Sequence, residues 1–381
     1  MEIPSIKILS RDLVLLNEID LYTSFDFLRS WQGIGDFTLK VCKGSSGLQR
    51  GNIIMLGDDG HRCGIIENVV GVHDENGVDI TVTGKTLNSL TKQRVVLPSE
   101  NEADGGYFCI PAANNSVSMT AAENIIKTFA SCCFGENAET ARQFPNLIIT
   151  TNQGRGIETN WMSRYNELSS ELESICQYCD CGYEIYIDLE SRKFVFEYRE
   201  GIDRSSEQTE NSRVIFSVDF ESVDSVTYTE DYSNYKNVAY CGGKGEGLDR
   251  IINAVTPKGT ENTPTGLDRF ETFIDCGTLG SIETETDFSL DQEGQRKLED
   301  YAACETLCAE ISAFGSFQYL KHWDLGDLVT AVDDELNVMQ DKRITEVRES
   351  YEPESIKISA TLGDVPKRLG KALKSLKGPV K

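Results

Sequence analysis

Gly51-Asn52-Ile53-Ile54, Ile66-Glu67-Asn68-Val69 and Val78-Asp79-Ile80-Thr81-Val82 are three strand-like segments that recur, in order, near the other end of the chain. There they read Gly326-Asp327-Leu328-Val329, Ile344-Thr345-Glu346-Val347 and Ile356-Lys357-Ile358-Ser359-Ala360. A fourth segment, Ser24-Phe25-Asp26-Phe27, precedes the first set and is matched with Ser217-Val218-Asp219-Phe220 ahead of the second. Alternating apolar and polar residues give these segments the period of half-buried strands. The chain therefore reads as two copies of one small antiparallel β unit, the second split by a long insertion. Duplication lets one subunit present two equivalent faces, so a ring of such subunits carries twice its true symmetry. That points to a symmetry adaptor before it points to an enzyme.

Working outward, residues 1–97 form a first β-barrel. Gly57-Asp58-Asp59-Gly60 and Asp74-Glu75-Asn76-Gly77 supply hairpin turns between its strands. Residues 98–210 read as an α+β module. Thr120 and Glu123 suggest a capping box for one helix, and Leu168, Leu172, Ile175, Cys176 and Cys179 trace the buried face of a second, stopped at Gly182. Residues 211–245 and 320–364 make a second barrel. Residues 246–319 form its insertion, with one long helix capped by Ser289 and Gln292 that buries Leu298, Ala302, Leu307 and Ile311. Residues 365–381 are a basic tail whose Leu369, Leu373 and Leu376 recur at helical spacing. The fold class is α+β, β-dominated.

The 381 residues exceed one compact core and fit two to four domains. No apolar run approaches the ~18 residues that cross a bilayer, and the start lacks the pattern of a signal peptide. A formal charge of −25 argues against a surface that grips phosphate backbones, which needs clustered Lys and Arg. The same acidity would keep DNA from sticking to a lumen wall. Twelve cysteines invite a metal reading. Cys176, Cys179 and Cys181, however, share the helix face above, with no second CxxC and no nearby His to complete a site. Cys132-Cys133 and the Cys304/Cys308 pair read likewise as helix core. Of the three histidines, His61, His73 and His322, none accompanies a nucleophile motif. Gly242-Gly243-Lys244-Gly245-Glu246-Gly247 lacks the ending of a phosphate loop and reads as a bend. Asp58-Asp59 and Asp333-Asp334-Glu335 fall at turns without the calcium-loop pattern. Trp31, Tyr107 and Tyr232 are aromatics able to stack on a sugar, with Trp31 also a candidate for the core. No cofactor is called for.

Several stretches together resemble a known family. They are Glu200-Gly201-Ile202-Asp203-Arg204-Ser205, Tyr235-Lys236-Asn237-Val238-Ala239-Tyr240, Gly266-Leu267-Asp268-Arg269-Phe270-Glu271 and Leu325-Gly326-Asp327-Leu328-Val329. With Trp31-Gln32-Gly33-Ile34-Gly35-Asp36-Phe37 and Thr83-Gly84-Lys85-Thr86-Leu87 they are similar to siphophage tail-tip hub proteins, related to the baseplate hub of contractile tails. One departure is Cys276-Gly277-Thr278, where the family usually carries Ala-Arg-Asp or a near variant. The resemblance implies a homotrimeric, pseudo-sixfold torus that joins a sixfold tail-tube or distal-tail ring to threefold tip structures. It implies as neighbours a tape-measure protein and tip or receptor-binding proteins, with DNA passing through the lumen without specific binding. The location implied is the virion tail tip, after assembly in the bacterial host cytoplasm. Subunit contacts would then involve Gly51, Asn52, Ile53, Ile54, Gly326, Asp327, Leu328 and Val329. A tail-associated cell-wall hydrolase or a sugar- or receptor-binding module are the alternatives.

Overall fold

A computed structural model of the chain describes residues 3–42, 46–75, 77–100, 107–111, 119–219, 222–276, 290–311 and 315–363. The basic tail, Ser289 and Gly277-Thr278 lie outside them. The architecture is β-dominated, with three α-helices among the described residues.

The first repeat contains β1 (Ile6–Leu9), β2 (Leu15–Ile19), β3 (Ser24–Ser30), β4 (Asp36–Val41), β5 (Ile53–Leu56), β6 (Cys63–Asp74) and β7 (Gly77–Thr86). Alternation sets its layers. Phe25 and Phe27 of β3 face inward with Phe37 and Leu39 of β4, while Ser24 and Asp26 face out. Removing each such ring from water stabilises the fold by roughly 2–3 kcal/mol. Asp59 shapes the turn from β5 to β6 by accepting from the His61 amide and the Arg62 guanidinium.

The module follows with β8 (Phe108–Ile110), β9 (Thr120–Ala121), helix α1 (Ala122–Phe134), β10 (Leu147–Ile149), β11 (Glu158–Thr159) and β12 (Trp161–Ser163). Helix α2 (Leu168–Cys179) and the hairpin β13 (Gly182–Asp188) and β14 (Lys193–Arg199) complete it. The expected capping box at α1 does not form, since the Ncap is Ala121 and has no side-chain cap. Glu123 is instead fully buried and takes hydrogen bonds from Lys127 Nζ (2.6 Å), Arg155 Nη2 (2.9 Å) and the Gln153 and Arg155 amides. Helix α2 stops at Asp180, which adopts the left-handed conformation at φ 49°, two residues before the predicted Gly182. Cys176, Cys179 and Cys181 are buried as expected, and burial pushes the Cys176 and Cys179 thiols up. Module and first repeat share one apolar core, in which Leu9, Met55 and Leu87 pack among Phe129, Leu172 and Phe196.

The second repeat begins with β15 (Ile215–Phe216) and β16 (Val223–Asp231). The insertion follows as β17 (Val238–Gly242), β18 (Ile252–Val255), β19 (Glu271–Asp275) and helix α3 (Leu290–Leu298), with a core of its own around Ala239, Cys241 and Val255. Then come β20 (Cys304–Ile311), β21 (Leu328–Asp333), β22 (Val338–Glu352) and β23 (Ser355–Gly363). The glycine-rich stretch after β17 is a bend, as read. The long predicted helix is not: it ends at Leu298, and Leu307 and Ile311 belong to β20. Residues four apart also share a strand face, so their spacing fits both periods. Pairing of β20 with β16 on one side and β23 on the other decides it. Cys308 is consequently exposed, not helix core.

Both repeats belong to one sheet of thirteen strands, ordered β16-β20-β23-β22-β3-β4-β7-β6-β5-β1-β2, with β21 on β22 and β15 on β21. The first repeat runs β3-β4-β7-β6-β5 and the second β16-β20-β23-β22-β21, so five strands correspond one to one. Agreement reaches single residues. Gly51 and Gly326 have φ of 88° and 89°, and their amides donate to Ile66 O (2.8 Å) and Ile344 O (2.9 Å). Each long strand carries a bulge at the same place, between Ile66 and Asn68 and between Ile344 and Glu346. One sequence match is corrected. Register pairs Ser24–Phe27 with Ser225–Tyr228, not with Ser217–Phe220, because Ser24 opposes Lys40 in β4 as Ser225 opposes Glu310 in β20. Separate barrels are likewise not what the pairing displays. The described strands form no closed small barrel, and the repeats are joined edge to edge.

Candidate assembly interface

The joint between the repeats is a strand junction. β22 pairs antiparallel with β3 over six residue pairs, from Glu346↔Ser30 to Tyr351↔Phe25. The Trp31 amide donates to Thr345 O at the bulge (2.9 Å), and Ser350 Oγ donates to Asp26 (3.0 Å). Side chains cross as well, with Trp31 packed in the second core and Tyr351 in the first. Between them lies fully buried Glu349, accepting from Arg62 Nη1 (3.0 Å), Tyr319 Oη (3.1 Å) and Tyr351 Oη (2.6 Å). Burial, with Glu349 alongside, pushes the Tyr351 phenol up, which keeps it a donor.

Correspondence of the repeats then singles out two other edges. β6 is the counterpart of β22, and β16 is the counterpart of β3. Beyond Ile66, β6 pairs with β7 alone among the described residues, and its other edge is open. Val70 and Val72 there are 50% and 54% exposed. β16 pairs only with β20 among the described residues. An open, apolar edge strand is a template for another strand.

One face of the joined sheet is polar. Lys357, Ser350, Asp26, Thr38, Thr83 and Asn68 form a continuous cross-strand row over β23, β22, β3, β4, β7 and β6. The adjacent row, Ile358, Glu349, Phe27, Phe37, Gly84 and Ile66, lies on the core side.

Of the segments named from the sequence, Gly326–Val329 packs beside this joint, against Trp31, whereas Gly51–Ile54 lies at β5, with β4, β7 and β6 between it and β3. Ile53, Ile54, Asp327 and Val329 are buried within the chain, so there the repeat reports how each unit folds. Asp327 is held by Arg204 Nε (2.8 Å) and caps the Asp324 amide (3.0 Å). Gly51, Asn52 and Leu328 keep partial exposure. The two free edges were missed. The trace of the β6 edge in the sequence is Val69-Val70-Gly71-Val72, where alternation gives way to an apolar run in a strand flanked by polar turns.

Other candidates are dispersed. Trp31 and Tyr107 are buried, Tyr232 is 52% exposed, and no cluster of three metal-capable side chains occurs among the described residues. His61 lies against Glu184 of the module (3.1 Å) and stacks on Tyr186, and the hydrogen bond to Glu184 raises its pKa. For Glu184 burial alone would raise the pKa, but the His61 bond and the charges of Arg29 and Arg199 bring it down to about 2. These groups hold the module and make no catalytic set.

Solved structures share this architecture at low identity. A tail protein from Neisseria meningitidis MC58 superposes with a TM-score of 0.53 and 10% identity, covering 94% of this chain and 96% of that one. The 43 kDa tail protein of prophage MuSo2 from Shewanella oneidensis gives 0.51 at 12% identity, with the same coverage. Prophage tail protein gp18 from Listeria monocytogenes EGD-e gives 0.50 at 12%, covering 98% and 100%. No curated protein matches the sequence. The fold is thus that of tail proteins. The chain belongs to the family described as Siphovirus ReqiPepy6 Gp37-like protein, whose model matches residues 5–364.

Proposed function

We propose that this chain is a trimeric tail-tip hub whose copies join by the strand junction already present inside each one. The observation that carries the reading is the pair of open edges, β6 and β16, which are the counterparts of the two strands that meet within the chain. Placing β16 of one copy on β6 of the next repeats the internal contact. Its register follows residue by residue: Asn68 opposite Asp231, Val70 opposite Thr229, Val72 opposite Thr227. Closure after three copies gives six equivalent units and twenty-four strands, eight from each chain. The barrel of this protein is then the shared one, and the two small barrels expected per chain are its segments.

Such a ring meets a sixfold tail-tube or distal-tail ring on one side and threefold tip proteins on the other. The unrepeated features, the insertion of β17 to β19 and the hairpin of β1 and β2, occur once per chain and mark the threefold. The polar face, rich in Ser and Thr on a chain of net charge −25, lines the bore and lets DNA slide. Tape-measure and tip or receptor-binding proteins are the remaining neighbours. Gly51, Asn52 and Leu328 are the sequence-named positions with surface left for a contact. The place of action is the virion tail tip, after assembly in the host cytoplasm.

Native mass spectrometry tests the reading. Three times the 42.4 kDa chain mass is expected, and proline at both Val69 and Gly71, whose amides face the open edge as those of Val347 and Glu349 face β3, should yield folded single chains. A single-chain mass for the unaltered protein at all concentrations would remove the ring.

A further inference from the structure

The first repeat and the module share an apolar core and form one body, whereas the second repeat keeps its own core. Near the sheet the two bodies are joined by backbone pairing and by the exchange of Trp31 and Tyr351. On the core side of the sheet the contact changes character and becomes ionic. Three guanidinium groups cross it. Arg29, 5% exposed, donates to Tyr319 Oη (2.8 Å) and Asp324 (2.7 Å). Arg62 donates to Glu349, and Arg343 donates twice to Asp180 at the end of α2 (2.8 and 2.7 Å).

Between these pairs the packing is incomplete. A cavity of about 360 Å³ is bounded by Tyr198 and Arg199 of the module and by Trp323, Asp324, Leu325 and Asp327 of the second repeat. A smaller one beside it is lined by Arg29, Cys63, Glu184 and Leu325. Buried ion pairs pay for much of their attraction in lost hydration and fix geometry more than they add stability. Polar interfaces between packed units also permit relative motion by default.

We propose that this seam is a hinged latch: the second repeat pivots on the β22–β3 junction, and the three arginine contacts close it against the body formed by the first repeat and the module. In the ring, on whose existence this functional meaning rests, the angle between repeats within each chain sets the width of the bore. Releasing the latch would therefore couple an event on the module to opening of the passage. The pivot itself is a property of one chain.

Cys63 supplies a built-in reporter: it is 2% exposed and sits in the same shared core as Cys133 and Cys176, but of the three it alone lines the smaller cavity at the seam. Alkylation by iodoacetamide under native conditions, read site by site by mass spectrometry, measures opening. Asp180→Asn combined with Asp324→Asn neutralises two anchors and preserves their shape. The expected result is about ten-fold faster modification of Cys63 with Cys133 and Cys176 unchanged. Glu349→Gln, which loosens the third contact, should act in the same direction and serves if the double variant fails to fold. Unchanged Cys63 reactivity overturns the latch, and so does a rise at all three cysteines, which would make the pairs simply structural. Native mass on the same samples separates the two ideas. Selective Cys63 exposure in a chain that never trimerises supports the pivot and overturns the ring.

Discussion

Alanine at Gly326 is expected to destabilise the protein by about 4 kcal/mol, while alanine at Gly51, its counterpart in the first repeat, should cost about 1–2 kcal/mol. Both glycines have φ near 90°, where an L side chain is strained, so part of the cost is common to both. Their surroundings separate them. A Cβ on Gly51 would meet the Arg11 guanidinium, the far end of a flexible side chain that can swing away. A Cβ on Gly326 would fall 2.1 Å from the Trp31 ring, which is 3% exposed and fixed in the second core. Gly326 also serves the linker, because its carbonyl is the nearest neighbour to any Cβ on Gly201 and accepts from Arg343 (2.7 Å). Urea unfolding followed by tryptophan fluorescence would measure both variants. Equal losses would mean that the indole does not hold the junction as described.

Glu123→Ala should cost about 3–5 kcal/mol, the usual penalty for removing one partner from a buried ion pair. The carboxylate has no exposed surface, and Lys127 beside it is 5% exposed, so deletion strands a buried ammonium. Arg155 loses its main anchor too (2.9 Å). Burial would raise the Glu123 pKa, but the hydrogen bonds from Arg155 and Lys127 overcome this and bring it down to about 2. The sign of the pH dependence follows. A depressed carboxylate contributes stability that is fully present above its unfolded pKa, near 4.5, and is lost as pH falls toward 2. Stability of the unaltered protein should therefore drop between about pH 4.5 and 2, and Glu123→Gln should flatten that limb. Thermal unfolding across this range, with both proteins dropping in parallel, would contradict the assignment.

Much of the repeat was legible because three of its strands keep their pattern and one keeps its opening glycine. Gly51 and Gly326 open equivalent strands, and Ile66-Glu67-Asn68-Val69 aligns with Ile344-Thr345-Glu346-Val347 through the shared bulge. The fourth match failed for a physical reason. Phe25, Asp26 and Phe27 correspond to Val226, Thr227 and Tyr228, which fill the same places with different chemistry. Ser217-Val218-Asp219-Phe220 resembles them by letters alone. The helix assigned across Leu307 and Ile311 failed because a spacing of four satisfies helix and strand together, and only long-range pairing separates them. The junction of β22 with β3 could not be read locally at all, since its partners lie more than 300 residues apart. Cysteine as apolar filler was legible in α2, where the helical face is long. It was not legible at Cys308, where the element itself was misread.

The ring is tested most directly by a pair of cysteines placed at its predicted seam, Val70→Cys with Thr229→Cys. Their internal counterparts, Arg348 and Leu28, oppose each other across β22 and β3. They form a non-hydrogen-bonded pair, counting in alternation from the Trp31–Thr345 bond. Such positions bring Cα atoms to about 4.5 Å, within disulfide reach. Mild oxidation followed by denaturing electrophoresis without reductant should give bands of one, two and three chains and stop at three, with neither single variant crosslinking. No bond between chains, or a ladder that continues past three, would contradict the account.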